Sequence, residues 1–262
     1  MKCTAWIFCS LLIACSHATH LESRPNVLAT LVGSTLPSSS GWLQSLPTWH
    51  INSPLNEYSI RVITQFQNRE SPTLRFEMRE GDTWTGPQGS RTFRNELIPG
   101  TFPNVGGMRE YSCSIFLPSD FPIEDNRLVL MQWWPQAKTE LGEEGRSPSL
   151  ALRFVNGEVS ATIRHSPLRV IRDPDQVAKV GLFRRHLQLG TWQTFKFRAR
   201  WSHRDDGLVQ AWLNGELLAD YHGPVGYSDD QGPLFKFGMY RNDSKSTYVA
   251  YFSDCSEQEG TL

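Results

Sequence analysis

The chain has 262 residues and a formal net charge of −1, with 26 basic and 27 acidic side chains. Such a balanced charge gives no bulk attraction to nucleic acid or to anionic membrane surfaces, so neither is expected as a partner. The length and the aromatic content of 9 Trp, 14 Phe and 7 Tyr are compatible with one large domain, which we expect rather than two small ones.

The N-terminus has the layout of a secretory signal peptide over residues 1–18: Lys2, an apolar run from Ala5 to Ala14, and small residues after it. The run is too short to span a bilayer. Cleavage after Ala18 suits ordinary signal peptidase. The alternative is a lipobox ending at Cys15, which would then carry a lipid anchor. Both alternatives predict a protein that leaves the cytoplasm and is secreted, periplasmic or held at the cell surface.

Three of the five cysteines, Cys3, Cys9 and Cys15, lie in or at the end of this leader. Cys113 and Cys255 remain. In an exported protein such a pair predicts one disulfide, with two buried free thiols as the alternative. The sequence has no Cys and His spacing typical of structural zinc, and no glycine-rich phosphate-binding motif.

Residues 19–57 are predicted to form an irregular segment packed on the domain, because prolines and the run Ser38–Gly41 interrupt any regular pattern. Residues 58–262 are predicted to form a single domain. Short alternating apolar and polar runs follow one another there, broken by Gly, Pro, Asn and Asp, and no stretch keeps a helical apolar period for long. This pattern is typical of an all-β sandwich or barrel.

About a dozen strands are expected, and two of the turns between them carry the Asn-Gly sequence of a tight hairpin, at 156–157 and 214–215. The clearest strands are predicted at 73–80, 109–118, 127–134, 150–155, 158–164, 194–201, 208–214, 216–221, 234–241 and 247–252.

Two predicted strands have chemically distinctive polar faces. In 194–201, three cations point away from the core residues, which indicates either a solvated surface or an anion-binding groove. In 232–243, Lys236 and Tyr240 lie on one face with Gly238 between them, and the missing side chain of Gly238 leaves room for a ligand. An isolated pair of this kind is usually a lysine and a tyrosine on a surface strand.

Three motifs in chain order change that interpretation: 94-RNEL-97, 132-QWW-134 and 235-FKFGMY-240. Together with 74-LRFEMREGD-82 they resemble the jelly-roll polysaccharide lyases of the heparin lyase I and glucuronan lyase type and, more distantly, the jelly-roll alginate lyases. The resemblance runs from about residue 58 to 253. It implies a β-jelly roll, a concanavalin-like sandwich of two curved antiparallel sheets with a concave substrate groove, and eliminative cleavage of a uronate-containing polysaccharide.

The resemblance also implies site residues. The arginine of the family falls on Arg94, its carboxylate-contacting glutamine on Gln132, its lysine on Lys236 and its catalytic tyrosine on Tyr240. Those enzymes commonly have a histidine where this chain has Trp134, which we expect to act as a platform for a sugar ring. His165 is the first candidate to replace that histidine, with His50 and His186 behind it.

Further expectations concern substrate contacts and metal. Arg75 and Arg198, like Trp134 and His165, are candidates for binding the anionic chain. Alternatively, Arg75, Glu77, Arg94 and Glu96 form a cross-strand charge ladder, and we expect Glu96 to hold Arg94 even if Arg94 is catalytic. No cofactor is required; family members often carry structural calcium, and the acidic residues Asp229, Asp230, Asp243 and Asp254 allow such a site without defining one. A monomer is expected.

The chemistry of β-elimination explains these residue types. The enzyme must neutralise the uronate carboxylate, remove the C5 proton and protonate O4 as it leaves. Arg94 and Gln132 suit the first task, and Tyr240 suits the other two when the proton and O4 lie on one side of the ring, as in glucuronate and mannuronate. The alternative function is a non-catalytic carbohydrate-binding jelly roll. A glycoside hydrolase would need two carboxylates facing one bond, and the sequence offers no strand of that kind.

Overall fold

The computed structural model describes residues 49–87, 89–99 and 102–260. In chain order the strands of these residues are β1 (Trp49–Asn52), β2 (Ile60–Ile63), β3 (Thr73–Met78), β4 (Trp84–Thr85), β5 (Arg91–Pro99), β6 (Met108–Phe116), β7 (Leu128–Trp134), β8 (Leu150–Val155), β9 (Glu158–Ser166), β10 (Ala178–His186), β11 (Trp192–Arg200), β12 (Leu208–Leu213), β13 (Glu216–His222), β14 (Gly226–Tyr227), β15 (Leu234–Arg241) and β16 (Tyr248–Glu259). Two 3-10 turns, Thr139–Leu141 and Pro174–Gln176, complete the regular structure of the described residues.

The strands form two sheets. The nine-stranded sheet has the order β1-β5-β15-β7-β8-β9-β10, with β4 added to β5 and β14 added in parallel to β9. The seven-stranded sheet has the order β13-β12-β11-β6-β16-β3-β2. Apart from β14, all pairs are antiparallel. The all-β jelly-roll prediction is confirmed.

One apolar core fills the space between the sheets. Trp133 and Phe235 of the nine-stranded sheet meet Phe197 and Tyr111 of the seven-stranded sheet, with ring centroids 5.0 to 5.3 Å apart. All four side chains are almost completely buried. Each such burial contributes about 1.5–3 kcal/mol, so the alternating apolar residues of both sheets hold the sandwich together.

The predicted disulfide between Cys113 and Cys255 is confirmed. It joins β6 to β16, which are neighbours in the seven-stranded sheet, and it links positions 142 residues apart in sequence. Both cysteines are buried. The covalent link therefore lies in the seven-stranded sheet and not in the sheet that carries the polar group described below.

The strand predictions are confirmed closely where alternation is regular: β8 and β15 have the predicted bounds, and β9 extends two residues further. The Asn156-Gly157 turn has the two positive φ angles, 51° and 80°, that a two-residue hairpin needs. β10 was not predicted. It lies at the edge of its sheet with most side chains half-exposed or exposed, so it lacks an alternating apolar signal.

The predicted irregular segment 19–57 contains one regular element, since β1 pairs with β5 from Trp49↔Pro99 to Asn52↔Glu96. The predicted signal peptide 1–18, the lipobox cysteine Cys15 and residues 19–48 lie outside the described residues. None of the helical stretches in the described ranges is long and apolar enough to cross a membrane.

A bulge interrupts the centre of the nine-stranded sheet. Tyr240 of β15 pairs with Val129 of β7 and Phe237 pairs with Met131, so two residues of β15 lie opposite Leu130 alone. The pairing of β7 with β8 shifts at the same point. Because side chains alternate along a strand, this shift reverses which residues of β7 face the core.

Candidate active site

The face of the nine-stranded sheet that points away from the core carries a compact polar group at the centre of the sheet. We call it the outer face. The three adjacent strands β5, β15 and β7 supply its side chains, because Leu97, Phe237 and Trp133 take the core positions and their sequence neighbours point the other way. The polar residues of this group are Arg94, Glu96, Gln132, Lys236 and Tyr240.

The strand register brings these residues together in pairs. Arg94 lies directly opposite Tyr240, and Lys236 lies directly opposite Gln132. Gly238 lies opposite Glu96, between the lysine and the tyrosine. Directly opposite residues of antiparallel strands have side chains on the same face about 5 Å apart, so groups from three distant parts of the sequence surround one patch of sheet.

Glu96 organises the floor of this patch. Its side chain is 1% exposed, and its Oε1 accepts a hydrogen bond from the Nε2 amide of Gln132. Its Oε2 lies 3.5 Å from Nη1 of Arg94. One buried carboxylate therefore fixes both the guanidinium and the amide, as expected for the partner of a positioned arginine.

Two guanidinium groups flank the ring of Tyr240. The Cζ atom of Arg94 lies 4.3 Å from the ring centroid and that of Arg127 lies 4.7 Å from it. Cations at these distances are attracted to the ring face. Tyr240 itself is half-buried, so its hydroxyl can meet a ligand on the outer face.

Lys236 is buried at 5% exposure. Burial lowers its pKa from 10.5 to about 8, with Glu96 raising it and Arg94 lowering it further. Its Nζ atom lies 4.8 Å from the ring centroid of Trp134. The ammonium thus lies over an indole in a buried position, and Glu96 acts on it electrostatically.

The structure brings together five of the residues singled out in the sequence: Arg94, Gln132, Lys236, Tyr240 and Trp134. The proximity of an arginine, an amide and a phenol on one surface is the geometric condition for a common site. Their catalytic roles remain predictions at this point.

Arg75 and Arg198 lie elsewhere, which corrects the expectation that they bind the same ligand. Both belong to the seven-stranded sheet. Arg75 is ion-paired with Glu77 at 2.5 Å, and Arg198 lies 3.7 Å from Glu110. The four-residue charge ladder is corrected for the same reason, because Arg75–Glu77 and Arg94–Glu96 are separate pairs on different sheets.

Two of the candidate replacement histidines, His165 and His186, lie away from this patch. His165 follows the core residue Ile163 in the alternation of β9, so it lies on the opposite side of the strand from Arg164, and burial lowers its pKa. His186 lies beside the hairpin glycine Gly157 at the edge of the sheet. His50 of β1 differs, because it pairs with Ile98, which follows Glu96 on the outer face of β5. Its register position is in the row of Lys236, two strands away from the lysine.

Three of the four acidic loop residues are paired with arginines. Asp229 lies 2.6 Å from a guanidinium nitrogen of Arg146, Asp230 lies 3.1 Å from Arg169, and Asp254 is ion-paired with Arg69. Among the described residues, no group of three or more His, Cys, Asp or Glu side chains is placed to hold a metal ion.

Arg127 is the site residue that the sequence did not reveal. Simple alternation along β7 places position 127 on the opposite face from Gln132. The bulge at Leu130 reverses that phase and brings Arg127 to the outer face beside Tyr240. β7 itself has no glycine or proline, and the sequence signal for the bulge is Gly238 on β15, which lies between the shifted pairs with a φ angle of 129°.

Comparison with known proteins agrees with this geometry. Residues 38–256 match the family model described as polysaccharide lyase. No curated protein matches the chain in sequence.

Three solved structures illustrate the similarity of fold. An endo-β-1,4-glucuronan lyase from the fungus Trichoderma reesei has a TM-score of 0.68 at 13% identity, over 80% of this chain and 90% of the other. The alginate lyase vAL-1 from Chlorella virus has 0.52 at 12% identity, over 81% and 93%. The catalytic domain of a glycoside hydrolase family 131 protein from Coprinopsis cinerea has 0.56 at 15% identity, over 84% and 87%.

At such low sequence identities, the structural similarity establishes only the shared fold. The function is inferred from the family match and from the site. The family match spans most of the chain and includes every strand that supplies the polar group around Tyr240. The disulfide fits a protein that works outside the cytoplasm. The protein belongs to the polysaccharide lyase family and is an enzyme of that class.

Proposed function

We propose that the enzyme cleaves a uronate-containing polysaccharide by β-elimination at the patch around Tyr240, with glucuronate or mannuronate as the sugar at the cleavage site. The observation that carries this proposal is the convergence of Arg94, Lys236 and Tyr240 on one face at the centre of the nine-stranded sheet. The likeness to a glucuronan lyase supports the glucuronate type over the heparin lyase I type.

Carboxylate neutralisation is the first requirement. Arg94 and Lys236 supply positive charge, and their partner Glu96 is already engaged in the floor of the site. Below pH 8 the lysine is mainly protonated. As the C5 proton leaves, negative charge grows on the carboxyl oxygens, and fixed cations and the Gln132 amide stabilise that charge more strongly than the ground state.

Tyr240 carries the proton transfers in this proposal. Its phenolate oxygen takes the C5 proton, the C5–H electron pair forms the C4–C5 double bond, and the C4–O4 bond breaks. The phenol, now protonated, gives the same proton to O4 of the leaving sugar. The products are one fragment with the unsaturated uronate at its new non-reducing end and one fragment that keeps the protonated oxygen at its new reducing end. The tyrosine returns to its starting state.

The stereochemistry follows from using one residue for both transfers. The C5 proton and O4 must lie on the same side of the ring, as they do in glucuronate and mannuronate. In guluronate, iduronate and galacturonate they lie on opposite sides, and a second group would have to take the proton. The histidine that related enzymes commonly have for this purpose is replaced by Trp134, and in this proposal the indole beside Lys236 stacks on a sugar ring.

The test is a panel of pure polymers assayed by ultraviolet absorbance of the unsaturated uronate. Polyglucuronate or polymannuronate is expected to give absorbance, and polyguluronate is not. Cleavage of polyguluronate in preference to both would overturn the stereochemical argument. His50→Ala is the companion variant and should keep its activity, because Tyr240 serves as both base and acid.

Export is the remaining part of the proposal. We infer that residues 1–18 direct the chain out of the cytoplasm, with Cys15 as the alternative lipid-anchor residue, and that the mature enzyme acts as a monomer. Mass spectrometry of the mature N-terminus distinguishes the two cleavage sites, because a lipobox product begins with an acylated Cys15.

A further inference from the structure

Beyond Tyr240, the outer face of the nine-stranded sheet continues into a cleft of about 600 Å³. Five cations line it: Arg127, Arg153, Arg164, Lys179 and Arg184. We call it the arginine cleft. The first of these residues lies just before β7, and the others belong to β8, β9 and β10, which follow β7 in the order of the sheet.

The arginine cleft has no carboxylate among its lining residues. Arg127, Arg153 and Arg164 form no ion pair with any described acidic side chain, although most other arginines of the described residues do. The chain as a whole has a net charge of −1. Bulk composition therefore does not explain this local concentration of positive charge.

The cations are also held close and partly buried. Burial, with the positive charges of Arg164 and Arg127, lowers the pKa of Arg153 to about 10. Burial and Arg127 lower the pKa of Arg164 as well, although Tyr227 raises it. Burying like charges side by side destabilises the folded protein. Such an arrangement is typical of a site that binds an anion.

Some donors of the arginine cleft are fixed and others are unused. Arg153 is held by a hydrogen bond of 2.5 Å from its Nη1 to Oγ1 of Thr162. The Nε of Arg127 and Nη1 of Arg164 are buried and have no hydrogen-bond acceptor among the described residues. Buried N–H groups of this kind are stabilised by an oxyanion, and guanidinium groups bind carboxylate or sulfate through paired hydrogen bonds.

The arginine cleft is continuous with the site around Tyr240. In the strand register, Tyr240 lies opposite Val129, which lies opposite Arg153, so the phenol and this arginine belong to one row across the sheet. Two strand spacings of about 4.8 Å separate them. Arg127 contacts the Tyr240 ring and acts electrostatically on both other arginines.

We propose that Arg127, Arg153 and Arg164 form a second anion subsite, which binds an oxyanion on a sugar flanking the one cleaved at Tyr240. This rests on the proposed function. The substrate class that fits is a polymer with acidic groups on neighbouring sugars, such as a homopolyuronate. A polymer in which each uronate alternates with a neutral sugar leaves the arginine cleft without its ligand.

Binding is tested in the Tyr240→Phe background, so that the result does not depend on turnover. Calorimetry with polyglucuronate is expected to give a Kd at least about tenfold weaker when Arg153→Gln is added, since a charged hydrogen bond is lost. Hyaluronan, which alternates glucuronate with an uncharged amino sugar, is expected to bind more weakly than polyglucuronate and to be little affected by Arg153→Gln.

Two controls keep the result interpretable. Arg109→Gln removes a part-exposed arginine from the seven-stranded sheet and should leave the Kd unchanged. Thermal unfolding of Arg153→Gln should show a midpoint equal to or above that of its parent, because an unpaired buried cation is removed. A polyglucuronate Kd that is unchanged in a folded Arg153→Gln protein overturns the proposal.

The source of the oxyanion is distinguished by adding chondroitin sulfate. If sulfation of this alternating polymer raises affinity through Arg153, the arginine cleft accepts a sulfate ester as well as a carboxylate. If only polyglucuronate depends on Arg153, the ligand is the carboxylate of a neighbouring uronate. Both results support the subsite. Arg153-dependent binding without any cleavage by the wild-type enzyme would keep the subsite and reject the proposed function.

Discussion

The guanidinium carbon of Arg94 lies 4.3 Å from the ring centroid of Tyr240, and the two residues are direct partners in the pairing of β5 with β15. The contact therefore depends on strand register and not on a flexible loop. A register shift of one residue in either strand would turn its side chain to the core face and break the contact. Because this pair is held by the sheet, removing the tyrosine hydroxyl should change the chemistry of the site without moving the ring.

Removing that hydroxyl should separate chemistry from binding. Tyr240→Phe is expected to lower kcat by about 10³-fold or more, because both proton transfers are lost, while the Kd for polymer changes little. Tyr251→Phe is the matched control, since it removes a half-buried phenol from the seven-stranded sheet. Kinetics by ultraviolet absorbance and binding by calorimetry measure the two effects. Loss of polymer binding together with turnover would contradict the assignment.

The lowered pKa of Lys236 predicts that enzyme activity falls at alkaline pH. With a pKa of about 8, the lysine loses its charge as the pH rises through that value, and one of the two cations facing the carboxylate disappears. The value of kcat/KM should therefore decline above about pH 8. Lys236→Met should lower kcat/KM on the order of 10²-fold at neutral pH. A pH profile that stays flat to pH 10 would argue against a role for this ammonium.

Replacing Lys236 is also expected to stabilise the folded protein. The folded protein binds fewer protons than the unfolded chain between about pH 8 and 10.5, so the free energy of unfolding should rise with pH across this window. Below pH 8 the full cost of the buried charge opposes folding. Lys236→Met should therefore stabilise the protein at pH 7 by up to about 3 kcal/mol and remove the pH dependence. Urea unfolding at several pH values measures both, with Lys245→Met at an exposed loop position as the control.

Gly238 is expected to tolerate no side chain. Its φ angle is +129°, and a Cβ atom there would lie 2.4 Å from the backbone oxygen of Asn95 and 2.9 Å from Cα of Glu96. Because both are backbone atoms of the neighbouring strand, they have little room to move. Gly238→Ala should destabilise the fold by roughly 2–4 kcal/mol and displace Lys236 and Tyr240.

Thermal unfolding and kcat of the Gly238→Ala variant are the measurements. The control is Gly107→Ala, where the nearest heavy atom would be 4.0 Å away and φ is not in the left-handed region. A Gly238→Ala protein with the stability and activity of the wild type would show that the strand pair adapts.

The disulfide should matter for stability and not for chemistry. Replacing both Cys113 and Cys255 by alanine removes a link across 142 residues and is expected to cost about 2–5 kcal/mol. The kcat of the folded variant should equal that of the wild type, because β6 and β16 carry no residue of the site. Denaturation by urea with and without a reducing agent measures the effect. The reducing agent should lower the wild-type midpoint and leave that of the double variant unchanged.

The sequence reveals most of the strands and the four residues of the family motifs because both depend on local patterns. Alternation identifies which face of a strand is polar, as it does for Lys236 and equally for Arg198. It carries no information on which of two sheets the strand joins, so Arg75 and Arg198 were expected at the same ligand as Lys236. Only the long-range pairing of the strands separates them.

Arg127 and the edge strand β10 illustrate the other limit of local patterns. The extra residue Leu130, relative to β8, reverses the phase of β7, and its only sequence signal is Gly238 on the neighbouring strand β15. β10 exposes much of both faces, so its residues follow no apolar period although they wall one side of the arginine cleft. The anion subsite was therefore visible only after the strands were assembled.

The order of strands in the nine-stranded sheet has a consequence for biosynthesis. Arg94, Gln132 and Tyr240 meet only when β15, near the end of the chain, inserts between β5 and β7. Contacts that close such long loops form slowly and late in folding. A growing polypeptide should thus remain inert until β15 has been made and has inserted between β5 and β7, and no fragment that lacks one of these three strands should show turnover.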